Sequence, residues 1–182
     1  MTCSLDQLPP RVAEDEALIH AVVETPKGSR NKLGYEPTLG IFKLKGVLPE
    51  GHSFPYDFGF VPSTKAEDGD PLDVLLLLDA PTFPGCVVEA RIIGAITLEQ
   101  REKDDSIVRN DRLLAVAANS RLHKHIKAIG DLDDELLHEI EHFFHSYNEA
   151  KGGSIKLLGR VGPAETDELL KQALLQFSHS RG

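Results

Sequence analysis

The sequence predicts an α+β protein: a small barrel of short β-strands with two packed C-terminal helices. Two observations lead there. Over roughly the first hundred residues, short β-rich segments alternate with Gly/Pro turns, the spacing of a barrel core. In the last third the apolar period changes. Leu132, Leu136, Ile140, Phe143 and Tyr147 recur every three or four residues, as on one face of an amphipathic helix.

Taken in order, residues 17–25 form a strand-like run that ends at Pro26, and residues 26–32 form a basic loop. A second strand is expected over 40–48, closed by the turn Pro49-Glu50-Gly51. Strands over 57–61 and 72–78 follow, then a turn over 81–85. Residues 87–98 and 108–118 flank a charged loop and read as a hairpin. The helix over 132–151 can be capped by Asp131 or Asp133, and Gly152-Gly153 ends it. A short strand over 154–158 precedes a second helix over 163–177, which Pro163 opens at a position where its missing N–H does no harm. With no linker, repeat or low-complexity segment, residues 1–182 read as one domain, long enough to bury a sizeable core.

Charge narrows the function. Asp and Glu number 29 against 20 Lys and Arg, a formal net charge of −9, so the chain repels nucleic acid and anionic lipid in bulk. Residues 1–10 are polar and carry no apolar core, so no secretory signal is expected, and no apolar run is long enough to span a bilayer. Cys3 and Cys86 lie far apart in sequence and suit free thiols in a reducing compartment. The expectation is a soluble cytoplasmic protein.

The chemistry concentrates at Asp68-Gly69-Asp70-Pro71-Leu72-Asp73, followed at once by Val74-Leu75-Leu76-Leu77-Leu78. This is an acidic turn joined to the mouth of a buried strand. Gly69 lets the chain bend, and Pro71 pushes Asp70 towards extended geometry. Carboxylates held so close repel one another unless a cation sits among them, and hard oxygen ligands suit Mg²⁺ or Mn²⁺. An EF-hand is excluded, because Asp73 and Asp79 stand where its loop needs Gly and Glu.

A competing pattern, His138-Glu139-Ile140-Glu141-His142, matches the H-E-x-x-H of zinc peptidases. Helix geometry disfavours it. At about 100° per residue, His138, His142 and His145 fall opposite the apolar stripe, on the face a globular helix turns to water. The other constellation gathers around the acidic turn. Lys32, Lys45, Glu24, Glu99 and Asn110-Asp111-Arg112 all lie at strand ends or turns, which in a small barrel can converge on one mouth. Carboxylates beside Lys and Arg on one rim imply a metal-bound anion. No Gly-x-x-x-x-Gly-Lys loop is present to cradle phosphates, so metals and long basic side chains must hold it.

At these residues the chain resembles the soluble family I inorganic pyrophosphatases. Asp68-Gly69-Asp70-Pro71-Leu72-Asp73-Val74 is similar to the family's D-x-D-P-x-D-V motif. The resemblance runs from residue 23 to residue 147 through Glu24, Lys32, Phe54-Pro55, Phe58-Gly59-Phe60, Gly94-Ala95, Arg112-Leu113-Leu114-Ala115-Val116, Phe143-Phe144 and Tyr147. It implies a five-stranded OB-like barrel with helices and Mg²⁺-dependent hydrolysis of pyrophosphate to two orthophosphates, with Mn²⁺ as a substitute ion. By the same resemblance Asp68 and Asp73 are metal ligands, Asp70 takes the proton from the attacking water, and Lys32, Lys45, Arg112 and Tyr147 hold phosphate. Glu24 edges the metal cluster, and short members of this kind assemble as homo-oligomers, commonly hexamers.

The chain also departs from the family. Lys45 stands where Arg is usual, and Lys cannot make the same bidentate contact. Phe54 and Phe58 replace Tyr, Gly34 replaces Glu, and Asn148 replaces Lys. The loop that often reads Asp-Glu and later Asp-x-Lys reads Glu99-Gln100 and Asn110-Asp111-Arg112. The expectation is that Glu99 joins the metal site and that either a one-residue shift brings Asp111 to it or the site binds its third ion weakly. The alternative is a catalytically weak relative that binds metal or a phosphorylated ligand.

Overall fold

The computed structural model describes residues 4–101 and 104–180; Cys3 and the first residues of the polar start lie outside them. Ten strands and two α-helices follow in the order β1 (Arg11–Val12), β2 (Asp15–Thr25), β3 (Asn31–Glu36), β4 (Ile41–Val47), β5 (Asp57–Phe60), β6 (Asp73–Leu77), β7 (Val87–Arg101), β8 (Ile107–Arg109), β9 (Arg112–Ala117), α1 (Asp134–Ala150), β10 (Ser154–Val161) and α2 (Pro163–His179). Strands β2, β5, β6, β9 and β7 pair in that order, and β7 pairs back onto β2, which closes a ring of five strands. Only β6 and β9 run parallel within it. β10 and β8 extend β7, β1 borders β2, and β3–β4 form a separate hairpin.

Alternation along the central strands builds two apolar clusters. Leu75 and Leu77 of β6 and Leu114 and Val116 of β9 pack with Leu137, Ile140 and Phe144 of α1. Val74, Leu76, Leu113 and Ala115, pointing the other way, pack with Leu170 and Ala173 of α2. Each fully buried Leu or Phe contributes about 1.5–3 kcal/mol, so a helix on each face holds the ring. The strand mouths then set the site. Asp73 and Arg112 open β6 and β9, stand in register, and share the α1 side by the same alternation.

The structure revises three local expectations and decides a fourth between two alternatives. The basic loop over 26–32 leads directly into β3, which period-two polar and small residues concealed. The hairpin over 87–98 and 108–118 is interrupted: β8 pairs the far end of β7, the chain breaks at Asn110 and Asp111, and β9 pairs both β7 and β6. The cause is a side-chain substitution in the ladder, since the Leu98 N–H donates to Asp111 Oδ1 at 3.0 Å. The strand expected over 154–158 continues to Val161, because its register shift beside Gly159 is a kink and not an end. Asp133, not Asp131, caps α1, accepting from the Glu135 N–H at 2.8 Å. Asp131 instead receives the Lys127 and Ala128 N–H groups one turn earlier.

Gly59 shows how tightly the ring closes. A Cβ built there would lie 1.9 Å from the Val22 carbonyl oxygen on β2. Gly59→Ala is therefore expected to cost about 3 kcal/mol, the upper part of the overpacking range, because backbone and not a flexible side chain must yield. Urea unfolding checks this; an unchanged midpoint would show that β2 and β5 are not so closely apposed.

Candidate active site

The acidic turn is fastened from several sides. Gly69 takes φ +90, which its lack of Cβ allows, and its N–H donates to the Ala66 carbonyl at 3.1 Å. Ala66 in turn donates to the Asp70 carbonyl at 2.7 Å, and the Leu72 N–H donates to Thr64 Oγ1 at 2.9 Å. Asp68 Oδ1 accepts the Asp70 N–H at 3.1 Å. Asp73 Oδ2 accepts from Arg112 Nη1, which also donates to Asn110 Oδ1. The carboxylate of Asp70 accepts no hydrogen bond among the described residues, and Asp70 is exposed.

Around this turn the expected cations assemble. Lys32, on β3, has its Nζ 3.3 Å from Glu24 Oε2 and 4.1 Å above the Phe58 ring. Glu24 Oε1 also accepts the Tyr35 N–H at 2.7 Å, so one carboxylate ties β2 to the hairpin. Arg112 is buried, with its guanidinium over the Phe58 and Phe144 rings at 5.9 and 5.4 Å. Phe54 and Phe58 thus form an apolar floor on which cations rest through ring electrostatics. Lys45 lies 3.6 Å from Glu36 Oε2. Tyr147, on α1, stacks on Phe143, and its buried hydroxyl is without a hydrogen-bond partner among the described residues, as is Arg112 Nε.

The electrostatics bind these groups into one site. Desolvation, with smaller contributions from the charges of Asp73 and Asp70, raises Asp68 to about 6, against the opposing Asp70 N–H. Desolvation and then Asp73 push Asp70 up, with Lys45 the strongest cation acting against them. Burial raises Glu24, opposed first by Lys32, and burial then Asp73 raise the Tyr147 phenol. Glu24, Lys32, Lys45, Asp68, Asp70, Asp73, Arg112 and Tyr147 therefore share one field.

Glu99 and Asp111, expected from the sequence at the metal site, make their contacts elsewhere. Asp111 Oδ1 accepts from the Leu98 N–H and, at 2.7 Å, from Arg109 Nε. It lines a cavity of about 90 Å³ with Lys65, Glu67 and Gln172 of α2, on the face away from Arg112. Glu99 stands in register with Arg109 and lies 4.0 Å from Lys156 Nζ. The cause lies in the break between β8 and β9: Arg112 donates to both Asp73 and Asn110, whereas the Leu98 N–H and Arg109 hold Asp111. The residue missed from sequence is Gln100, whose Oε1 accepts from Asn110 Nδ2 at 3.1 Å. The alternation from Leu98 was the available signal.

The donors fit a hard divalent cation. They are all oxygen, partly desolvated, and lifted in pKa by desolvation and mutual repulsion, which a cation would relieve. Among the described residues no three carboxylates or imidazoles are close enough to hold one ion together. His138, His142 and His145 are exposed on α1, opposite the buried Leu137, Ile140, Phe144 and Tyr147.

Comparison with known proteins gives the family and the fold. Residues 21–178 match the family model described as inorganic pyrophosphatase. The inorganic pyrophosphatase of Thermus thermophilus is 43% identical over 145 residues, covering 78% of this chain and 80% of that protein. A crystal structure of inorganic pyrophosphatase from Thermus thermophilus superposes with a TM-score of 0.87 at 36% identity, covering 96% of this chain and 99% of that one. One from Neisseria gonorrhoeae superposes at 0.85 and 30% identity, covering 95% and 98%. On this evidence the chain belongs to the family I inorganic pyrophosphatases of prokaryotic type, a family of metal-dependent hydrolases.

Proposed function

We propose that the protein hydrolyses pyrophosphate to two orthophosphates with Mg²⁺, Asp70 acting as general base. What supports this is that Lys32, Lys45 and Arg112 act electrostatically on the Asp68, Asp70 and Asp73 turn, and that Arg112 pairs Asp73 at the heads of adjacent strands. Asp68, Asp73 and Glu24 are the carboxylates that would hold the ions. Bound there, Mg²⁺ would screen the charge of pyrophosphate and acidify a water. Asp70, whose carboxylate is uncommitted to the protein among the described residues, would accept that water's proton. Lys32, Lys45 and Arg112 would hold phosphate oxygens and neutralise the charge that develops on the leaving phosphate. The buried Tyr147 hydroxyl offers a further donor to the same oxygens. Glu99 and Asp111 have no part in this reading, because their side chains are engaged on the other face.

Phosphate release from pyrophosphate tests the proposal. Release with Mg²⁺ or Mn²⁺ that EDTA abolishes is the expected result, and background release with both ions across neutral to alkaline pH would overturn it. The Asn110-Asp111 loop makes a further prediction. Asn110→Ala removes the acceptor that steadies Arg112, and is expected to lower kcat/KM about three- to tenfold, the worth of one hydrogen bond. Asp111→Asn is expected to stay within about twofold, with its cost read in thermal stability instead. A metal titration in which Asp111→Asn is the more damaged would reinstate Asp111 as a ligand.

The wider setting belongs to the same proposal. Strands β6 and β9 feed both apolar clusters, which supports one domain. No helix among the described residues is long and apolar enough to cross a membrane, and the unpaired Cys86 suits a reducing cytoplasm. The exposed Leu39, Ile41, Leu44, Val47 and Phe83 offer apolar surface to further copies of the chain, by family resemblance a hexamer.

A further inference from the structure

Lys45 is presented by an unusual local route. In the β3–β4 hairpin Lys32 pairs Gly46 and Leu33 pairs Leu44, so Lys45 is the extra residue of a bulge. Bulges re-aim side chains, and this one turns Lys45 across the face of β3. There its stem passes over Gly34. A Cβ built on Gly34 would lie 2.8 Å from Lys45 Cγ and 2.9 Å from Lys45 Cε, with Lys45 Cδ at 3.5 Å. All three nearest atoms belong to that one side chain. Gly34 is not among the glycines with positive φ, so its backbone does not demand glycine. What requires glycine there is the space.

We propose that Gly34 is a positioning residue for the reaction: the room above its Cα is the track along which Lys45 extends its ammonium to pyrophosphate. This rests on the reading of Lys45 as a phosphate-holding group. Glu36 completes the device. Its Oε2 lies 3.6 Å from Lys45 Nζ and 3.8 Å from Lys43 Nζ, so Lys45 waits in an ion pair with the end of β3. Both partners are partly exposed, and such pairs are weak, so the more highly charged pyrophosphate draws Lys45 away at little cost. Gly34 thereby lets a flexible Lys serve from a strand that does not itself reach the acidic turn.

The test is a double-mutant cycle of Gly34→Ala and Lys45→Ala, read by steady-state kinetics with Mg²⁺ and pyrophosphate and by urea unfolding. Lys45→Ala is expected to raise KM roughly tenfold, the loss of one charge-assisted contact, with kcat changed less than about twofold. Gly34→Ala is expected to raise KM by a similar factor, and the double variant by no more than Lys45→Ala alone. Any stability lost in Gly34→Ala should return in the double variant, because the atoms nearest the new methyl group belong to the side chain that is removed. If Gly34→Ala fails to fold alone, the double variant must still fold. A wild-type KM in Gly34→Ala beside a raised KM in Lys45→Ala overturns the positioning role and leaves the wider reading intact. Multiplying effects, or a destabilised Gly34→Ala whose loss persists in the double variant, overturn it equally. A wild-type KM in Lys45→Ala removes the reading on which it rests.

Discussion

Asp70→Asn is expected to lower kcat about 10²- to 10⁴-fold, the usual worth of a general base, while leaving the fold unchanged. The three carboxylates of the turn are not equivalent. Asp68 is tied to the Asp70 N–H and Asp73 to Arg112, whereas the Asp70 carboxylate accepts nothing from the described residues. An amide keeps its shape and its backbone bonds but cannot take a proton. Calorimetric Mg²⁺ affinity should therefore fall only modestly in Asp70→Asn while turnover collapses. Turnover near the wild-type value would remove Asp70 from the base role. Equal loss of metal affinity and turnover would instead make it chiefly a ligand.

The second large effect lies at Arg112. Its guanidinium is buried against Phe58 and Phe144 and is the partner that Asp73 keeps. Arg112→Met preserves much of the packed volume and leaves Asp73 without its cation. Removing one member of a buried pair costs about 3–5 kcal/mol; the partial exposure of Asp73 points to about 3 kcal/mol in EDTA. Mg²⁺ should recover most of that loss, since an ion on Asp73 replaces the missing charge, and about 2.7 kcal/mol is available at a hundredfold excess over Kd. Urea unfolding with and without Mg²⁺ reads both quantities. A deficit that persists unchanged in Mg²⁺ would mean that Asp73 is not where the ion sits.

The raised pKa of Asp68 gives a pH signature of the same site. Its folded value of about 6 exceeds the ordinary 3.8, so the folded metal-free protein binds this proton more tightly than the unfolded chain does. Stability from this group is present below about 3.8 and is lost as pH rises through about 6. A metal ion takes the ionised carboxylate, which reverses the preference. Mg²⁺ binding should then release a proton near pH 5, and the apparent affinity should climb towards pH 6 and level above it. Weakly buffered titrations at pH 5 and 7.5 measure the release directly; equal uptake or release at both would contradict the assignment.

Local chemistry made part of this protein legible from its residues alone. Gly69 and Pro71 specify a turn wherever they stand, and the run that follows reads as a buried strand, so Asp68, Asp70 and Asp73 form one unit in the sequence itself. The recurrence of Leu136, Ile140, Phe143 and Tyr147 carries its own helix, and the same periodicity turns His138 and His142 outward. The resemblance then orders Glu24, Lys32 and Arg112 around the turn. The choice between Asn110 and Asp111 is another matter. It depends on how β8 and β9 register against β7, where a one-residue slip exchanges every inward side chain for an outward one. Nothing local distinguishes the two; the Leu98 N–H that captures Asp111 comes from another strand. Gly34 is equally opaque in sequence. Its meaning is a space, and that space is defined by Lys45 on the neighbouring strand and by the bulge that aims it. Turns and helices follow from neighbours along the chain, whereas register and room are properties of neighbours across it, and only the closed ring with its hairpin decides those.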